Sequence, residues 1–192
     1  MDDHVVTDCR RCSDLVASRS QIVNGTGDPN AELLLVGEAP GEKEDKHGEP
    51  FVGRSGDVLT QSLNQHGIER EDIRITNCVR CRPEGNRNPK TSELENCFHH
   101  LLTEIEVVSP DVIMTLGKVP TEQLLDRSIS VTSAAGTVRD TRLNGEMYRI
   151  LINIHPAATL YDPSQQETFN QTIKKASELV SSGEGQTRLG EY

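Results

Sequence analysis

Residues 37–56, GEAPGEKEDKHGEPFVGRSG, concentrate the side chains of this chain that could do chemistry. They follow the apolar run 33–36, so a buried strand feeds directly into a glycine-rich turn crowded with carboxylates. Loops that cradle phosphate add a lysine and a hydroxyl at a helix start, and dinucleotide loops space their glycines G-x-G-x-x-G; neither pattern is present. Glu38, Glu42, Glu44 and Asp45 would also repel a phosphate. A compact, polar, neutral ligand is the expectation for this segment.

Thiols make a second group. Cys9-x-x-Cys12 lies near the N-terminus, Cys81 falls in a loop just past a strand, and Cys97 sits inside a helical pattern. Spacing alone leaves three readings open: a four-iron four-sulfur cluster on four thiolates, a tetrahedral zinc site, or unrelated buried cysteines. Five cysteines are an odd number, and the C-x-x-C pair points to metal rather than to a disulfide framework. The strand position of Cys78 suits a small buried hydrophobe.

Taken together these stretches resemble the iron-sulfur uracil-DNA glycosylases of family 4, whose first motif reads GE(A/G)PGxxEDxxGxPFVGxxG. The match runs without a gap through Gly37, Glu38, Pro40, Gly41, Glu44, Asp45, Gly48, Pro50, Phe51, Val52, Gly53 and Gly56. Thr76-Asn77, Arg80-Cys81-Arg82-Pro83 and Gly85-Asn86-Arg87-Asn88-Pro89 resemble the family's TNxxKCRPPxNRxP, and His155-Pro156-Ala157-Ala158 its HP(A/S) motif. The resemblance implies a monofunctional hydrolase that removes uracil from single- or double-stranded DNA and leaves an abasic site. It implies Cys9, Cys12, Cys81 and Cys97 as ligands of a 4Fe-4S cluster.

The resemblance also implies site roles. Asn77 would read uracil N3–H and O4 through its amide, and His155 would donate to O2 as negative charge develops there. Phe51 would stack on the base, and Glu44 would stand near its C5 edge. Ala39 occupies a place where some relatives carry a water-activating aspartate. A backbone carbonyl between Glu38 and Pro40 is therefore expected to position the water, with Glu38 shaping the loop. Arg80, Arg82 and Arg87 are expected on phosphates, and Leu160 is either a wedge for the vacated stack or a core leucine. The covalent-trapping branch of the family has a histidine-bearing loop that EGNRNPK lacks, so turnover is expected.

The elements that must position these residues follow from periodicity. Apolar runs at 32–36, 73–77, 112–116 and 150–154 read as buried parallel strands. Helical patterns cover 55–66, 91–107, 121–125 and 164–180, with Gly67 placed to end the first and Thr91 or Ser92 to cap the second. The fold class is α/β, a three-layer α/β/α sandwich like that of the uracil-DNA glycosylases, around a mainly parallel four-stranded sheet. Asn144-Gly145 is a hairpin signal that would add an antiparallel edge strand.

Composition bounds the rest. At 192 residues the chain suits one domain over 1–180 and a flexible, polar tail over 181–192. It shows no membrane-length apolar run and no secretory signal, so a cytoplasmic monomer is expected. The formal net charge of -10 argues by itself against binding a polyanion. Basic residues that are mostly Arg, and an aromatic content of 3%, suggest a halophilic source. At about 1 M salt the Debye length is near 3 Å, which would screen the repulsion. Gln186, Leu189 and Tyr192 resemble the clamp-binding pattern Q-x-x-aliphatic-x-x-aromatic without its usual second aromatic, which makes a sliding clamp a candidate partner and an unstructured end the alternative. Two rival functions are a non-catalytic iron-sulfur nucleic-acid-binding relative and a hydrolase of monomeric nucleotides.

Overall fold

The computed structural model describes residues 4–181; the candidate clamp motif at Gln186, Leu189 and Tyr192 lies outside them. Six strands form one mixed sheet: β1 (Thr26–Gly27), β2 (Leu33–Gly37), β3 (Arg74–Asn77), β4 (Val112–Leu116), β5 (Val138–Leu143) and β6 (Glu146–Asn153). Their order across the sheet is β1-β3-β2-β4-β6-β5. The inner four run parallel, and β1 and β5 pair antiparallel at the two edges. The expectation of four strands is corrected to six. The hairpin at Asn144-Gly145 supplies β5, whereas the two residues of β1 are too few to carry any periodicity.

Among the described residues eight α-helices accompany the sheet: α1 (Ser13–Ser18), α2 (Glu42–His47), α3 (Arg54–Gln65), α4 (Thr91–Val108), α5 (Lys118–Leu125), α6 (Val131–Ala134), α7 (Pro156–Tyr161) and α8 (Gln165–Ser181). Side chains of β2 alternate between two cores, as the period of a strand requires. Leu33 and Leu35 join Leu59 and Leu63 of α3 and Phe169 and Ile173 of α8 on one face. Leu34 and Val36 join Leu101 and Ile105 of α4 and Leu124 of α5 on the other. Because both faces are covered, β2, β4 and the second half of β6 are nearly continuous apolar runs, which is what made them legible, whereas β3 buries Arg74, Thr76 and Asn77 as well as Ile75.

Short helices were not visible to periodicity and have local causes instead. In α2 the first turn carries Glu42, Glu44 and Asp45, the last carries Lys46 and His47, and Gly48 closes it in the left-handed conformation at φ 80°. Pro156 opens α7, where its missing N–H costs nothing. The start of α4 departs from the sequence expectation: neither Thr91 nor Ser92 caps it. Lys90 takes the cap position, and its backbone N–H donates to the Glu93 carboxylate at 2.7 Å.

A charged group is buried on the side of the second core. Glu104 of α4 accepts from Arg74 Nε of β3 and from Arg80 Nη2 of the following loop, each at 2.7 Å, and all three side chains are at most 2% exposed. Removing one member of a buried ion triad strands the other charges, at a typical cost of about 3–5 kcal/mol. Glu104→Ala is expected to lose stability of that order in a denaturant melt; a loss below about 1 kcal/mol would mean that solvent reaches the arginines.

Candidate active site

The carboxyl ends of the parallel strands face the same rim of the sheet, the edge at which α/β folds place ligands. Gly37 ends β2 in register with Asn77 at the end of β3. His155 follows β6 and is the N-cap of α7. Phe51 reaches this rim from the loop between α2 and α3.

These residues meet around the Phe51 ring. A Cβ on Gly37 would collide with Asn77 Oδ1 and stand 2.6 Å from two atoms of the Phe51 ring, so the bare glycine is what lets amide and ring come together. The ring also lies 5.9 Å, centroid to centroid, from the His155 imidazole. Asn77 is only 4% exposed, and its amide, not committed to a hydrogen bond with another described residue, is left to a ligand or solvent.

His155 is specified more tightly than its position in a strand-to-helix turn would suggest. Its Nδ1 accepts the backbone N–H of Ala157 at 3.1 Å. An N–H can only donate, so Nδ1 carries no proton and the neutral ring holds its hydrogen on Nε2. Burial lowers its pKa to about 4, against a smaller opposing pull from Glu44. At neutral pH the site therefore presents a neutral donor of fixed tautomer.

Beside His155 opens a cleft of about 220 Å³, lined also by Glu38, Ala39, Pro40 and Gly41 and, across from them, by Pro83, Asn86 and Arg87. Burial raises the pKa of the Glu38 carboxyl. Glu44, Phe51 and Asn77 are not part of that lining and belong to the more buried set. Two of the four carboxylates that argued against phosphate, Glu44 and Asp45, are latches. Glu44 Oε1 accepts Val52 N–H at 3.1 Å and Gly53 N–H at 2.9 Å, closing its own loop. Asp45 accepts Ser20 N–H at 2.9 and 3.0 Å, tying the chain after α1 to α2.

Two sequence expectations change. Arg80 is locked in the ion triad with Glu104 and cannot reach a phosphate, because an interior carboxylate has already claimed it. Arg82 and Arg87 remain near the surface; Arg82 bonds Asn86, and Arg87 grips Glu93 through both terminal nitrogens at 2.7 and 2.8 Å. Leu160, a wedge or a core residue on sequence, is 39% exposed, and the adjacent Tyr161 is 86% exposed. Sequence reading missed Arg70, whose guanidinium holds the carbonyls of Pro50 and Phe51. No motif or period marks it.

The thiols gather on the far side of the second motif. Arg19 bridges two of their segments, donating from Nη1 to Cys81 Sγ at 3.0 Å and from Nη2 to the Cys9 carbonyl at 2.9 Å. Asn96 of α4 reaches Cys12 Sγ at 3.6 Å. Cys81 lies in the field of Cys9 and Cys12, and Cys97 in that of Cys81 and Cys9. Burial raises the Cys12 and Cys81 thiols and pushes Cys97 up to about 11. Among the described residues no three His, Cys, Asp or Glu side chains converge closely enough to hold one metal ion. A zinc site, with Zn–S of about 2.3 Å, needs that convergence. A four-iron cluster would instead take one thiolate on each of four separate irons, the type of donor that Cys9, Cys12, Cys81 and Cys97 offer. Cys78 is fully buried in the second core, as expected of a small hydrophobe.

Comparison with known proteins places this arrangement in context. The profile of the Uracil DNA glycosylase superfamily matches residues 24–177. The chain is 38% identical to a type-4 uracil-DNA glycosylase of Archaeoglobus fulgidus, over all of this chain and 98% of that protein. It is 40% identical to one of Thermotoga maritima over 91% of each chain, and 38% identical to one of Saccharolobus solfataricus over 92% of this chain and 84% of the relative.

Because the fold lowers the His155 pKa below the ordinary value near 6.5, its contribution to stability is fully present above that pH and is lost as pH falls toward 4. Imidazole resonances followed by NMR should show a His155 midpoint near 4 and an unprotonated Nδ1 at pH 7. A midpoint near 6.5 would show that the ring is freely solvated.

Proposed function

The chain belongs to the uracil DNA glycosylase superfamily, and from that premise we infer that it removes uracil from DNA by hydrolysing the N-glycosidic bond, the opening step of base excision repair. The observation that carries the reading is the meeting of Asn77, Phe51 and His155, from three distant segments, around one aromatic ring. Phe51 stacks on the base, a contact worth about 1–3 kcal/mol. The unspent amide of Asn77 takes N3–H on its oxygen and gives its N–H to O4.

Bond breaking leaves negative charge on uracil O2. The Nε2–H of His155, aimed by the Ala157 bond on the opposite nitrogen, donates to that oxygen. A neutral donor suits the task, because it stabilises the leaving anion without first repelling the developing sugar cation. Preorganised donors of this kind are worth roughly 3–4 kcal/mol. Glu44 holds the loop that presents Phe51 and lends its bulk near the C5 edge. Glu38 shapes the wall of the cleft. The Glu38 carbonyl already accepts Val79 N–H, and that of Gly41 accepts Asp45 N–H. The water is accordingly assigned to the Ala39 or Pro40 carbonyl. No lysine lines this cleft, which supports a monofunctional hydrolase without a Schiff base.

The damaged nucleotide has to leave the stack to reach this site, at a cost of a few kcal/mol that is lowest in single strands. Exposed Leu160 and Tyr161 at the end of α7 supply the wedge, and Arg82 and Arg87 the phosphate contacts. Cys9, Cys12, Cys81 and Cys97 would hold a 4Fe-4S cluster, which when bound supplies a covalent tie among the N-terminal segment, the loop after β3, and α4. On sequence pattern alone, Gln186, Leu189 and Tyr192 make a sliding clamp a proposed partner. No helix among the described residues is long and apolar enough to cross a membrane.

Free-base release from a uracil-containing oligonucleotide, at low and high salt, tests the reading. Asn77→Ala and His155→Ala are each expected to slow release by roughly 10²–10³, without borohydride-trapped strand cleavage in any variant. No release from the intact wild-type protein would reduce it to a binding relative, and strong preference for monomeric dUMP would make it a nucleotide hydrolase. For the cofactor, Cys81→Ser should abolish the visible iron-sulfur absorbance while Cys78→Ser retains it. Equal loss in both would refute the ligand assignment.

A further inference from the structure

Phe51 adopts φ 55°, in the left-handed region that bulky residues rarely occupy. Such a conformation persists only where the surroundings over-determine it. Two side chains hold it here: Glu44, which accepts the Val52 and Gly53 N–H groups just after it, and Arg70, which alone grips the peptide planes on both sides. Arg70 opens the 3-10 turn Arg70–Asp72 that precedes β3, and its guanidinium turns back onto the loop. Nη2 donates to the Pro50 carbonyl at 2.9 Å, and Nη1 donates to the Phe51 carbonyl at 3.1 Å and to Thr60 Oγ1 of α3 at 3.2 Å.

The choice of carbonyls is what matters. The Pro50 carbonyl belongs to the peptide plane before the Phe51 α-carbon, and the Phe51 carbonyl to the plane after it. Those planes are rigid, and their rotations about the α-carbon are φ and ψ. A single planar fork gripping both therefore fixes the backbone conformation of Phe51, and with it the direction in which its Cα–Cβ bond launches the ring. Gly56, in the first turns of α3, completes the clamp: a Cβ there would collide with the Phe51 carbonyl oxygen. The ring so placed lies close to both Asn77 and His155.

We propose that Arg70 is the positioning residue that clamps Phe51 in its left-handed conformation and thereby sets the stacking face for the base. The proposal rests on the reading of Phe51 as the base-stacking residue. Arg70 touches neither base nor sugar and acts only through the loop backbone. A lysine could not replace it, since a point donor does not span two carbonyls as a planar fork does.

A double-mutant cycle separates this role from general stability. Inhibition by free uracil, and turnover on a uracil-containing oligonucleotide, would be measured for wild type, Phe51→Ala, Arg70→Gln and the double variant, with thermal melts of each. Phe51→Ala and Arg70→Gln are each expected to weaken uracil inhibition by about tenfold, within the range of a lost base stack. The double variant should be no weaker than Phe51→Ala alone, because without the ring there is nothing left to direct. Any loss of melting temperature caused by Arg70→Gln should, by contrast, persist in the Phe51→Ala background. If Arg70→Gln folds poorly, Arg70→Lys replaces it in the same cycle, with a smaller loss that again vanishes when Phe51 is alanine. Equal losses from the Arg70 change in both backgrounds, or wild-type uracil inhibition in Arg70→Gln while Phe51→Ala is impaired, would overturn the proposal. Unimpaired Phe51→Ala would instead refute the stacking role itself, and the clamp with it.

Discussion

The ion triad Arg74–Glu104–Arg80 is the constraint on which the arrangement of this protein depends. Arg74 lies on β3, three residues before Asn77. Arg80 immediately precedes Cys81, and Glu104 lies two turns beyond Cys97 on α4. Arg80 also reaches the Asn24 side chain at 3.3 Å, and Asn24 exchanges two hydrogen bonds with the Val6 backbone. One carboxylate thus holds the strand that carries the site amide, the loop and helix that carry two thiols, and the segment leading to the other two. Apolar packing could match this triad in stability, but it is non-directional. Two charge-assisted bonds at 2.7 Å set the register of α4 against β3 in a way that interchangeable methyl groups do not.

A second theme is that charge in this molecule is spent on backbone. Glu44 and Asp45 each close a loop by accepting main-chain N–H groups, Arg70 does the converse with two carbonyls, and Glu93 takes the N–H of Lys90. Glycine-rich loops have little side-chain surface to bury, so they are held by hydrogen bonds if they are held at all. The acidic composition is then compatible with binding a polyanion, since several of the carboxylates are turned inward as structural acceptors. The cations near the cleft are themselves paired, Arg87 with Glu93 and Lys90 with Asp14. Phosphate contacts made by Arg87 would have to share or replace that partner, which shifts the burden of recognition from charge to the base pocket.

That pocket works by restriction. A neutral imidazole is a weaker donor than an imidazolium, but burial and the Ala157 bond give it one tautomer and one direction. Electrostatic stabilisation is strongest when donors are already oriented and need no reorganisation as charge develops. The Phe51 ring, packed in the first core on a backbone that Arg70 holds, would give the same economy to the proposed stacking.

Much of this was legible in the sequence. Strands buried on both faces show as largely apolar, β-prone runs, β3 being the least regular of them, so four of six strands and the long helices could be placed by pattern. Asn77, Phe51 and His155 stood out because each sits in a motif whose spacing resembles a known family. What pattern could not reach were features made by contact between distant segments. The two residues of β1 have no period, and α2 and α7 are too short to show one. Arg80 looked like a phosphate ligand until a glutamate from α4 claimed it, and Arg70 looked like nothing at all. Sequence determines which residues are apolar, charged or conformationally free, because these are properties of single side chains. Which nitrogen of His155 carries its proton, which carboxylates are latches and which arginine aims an aromatic ring are properties of pairs. Only the folded chain brings those pairs within hydrogen-bonding distance.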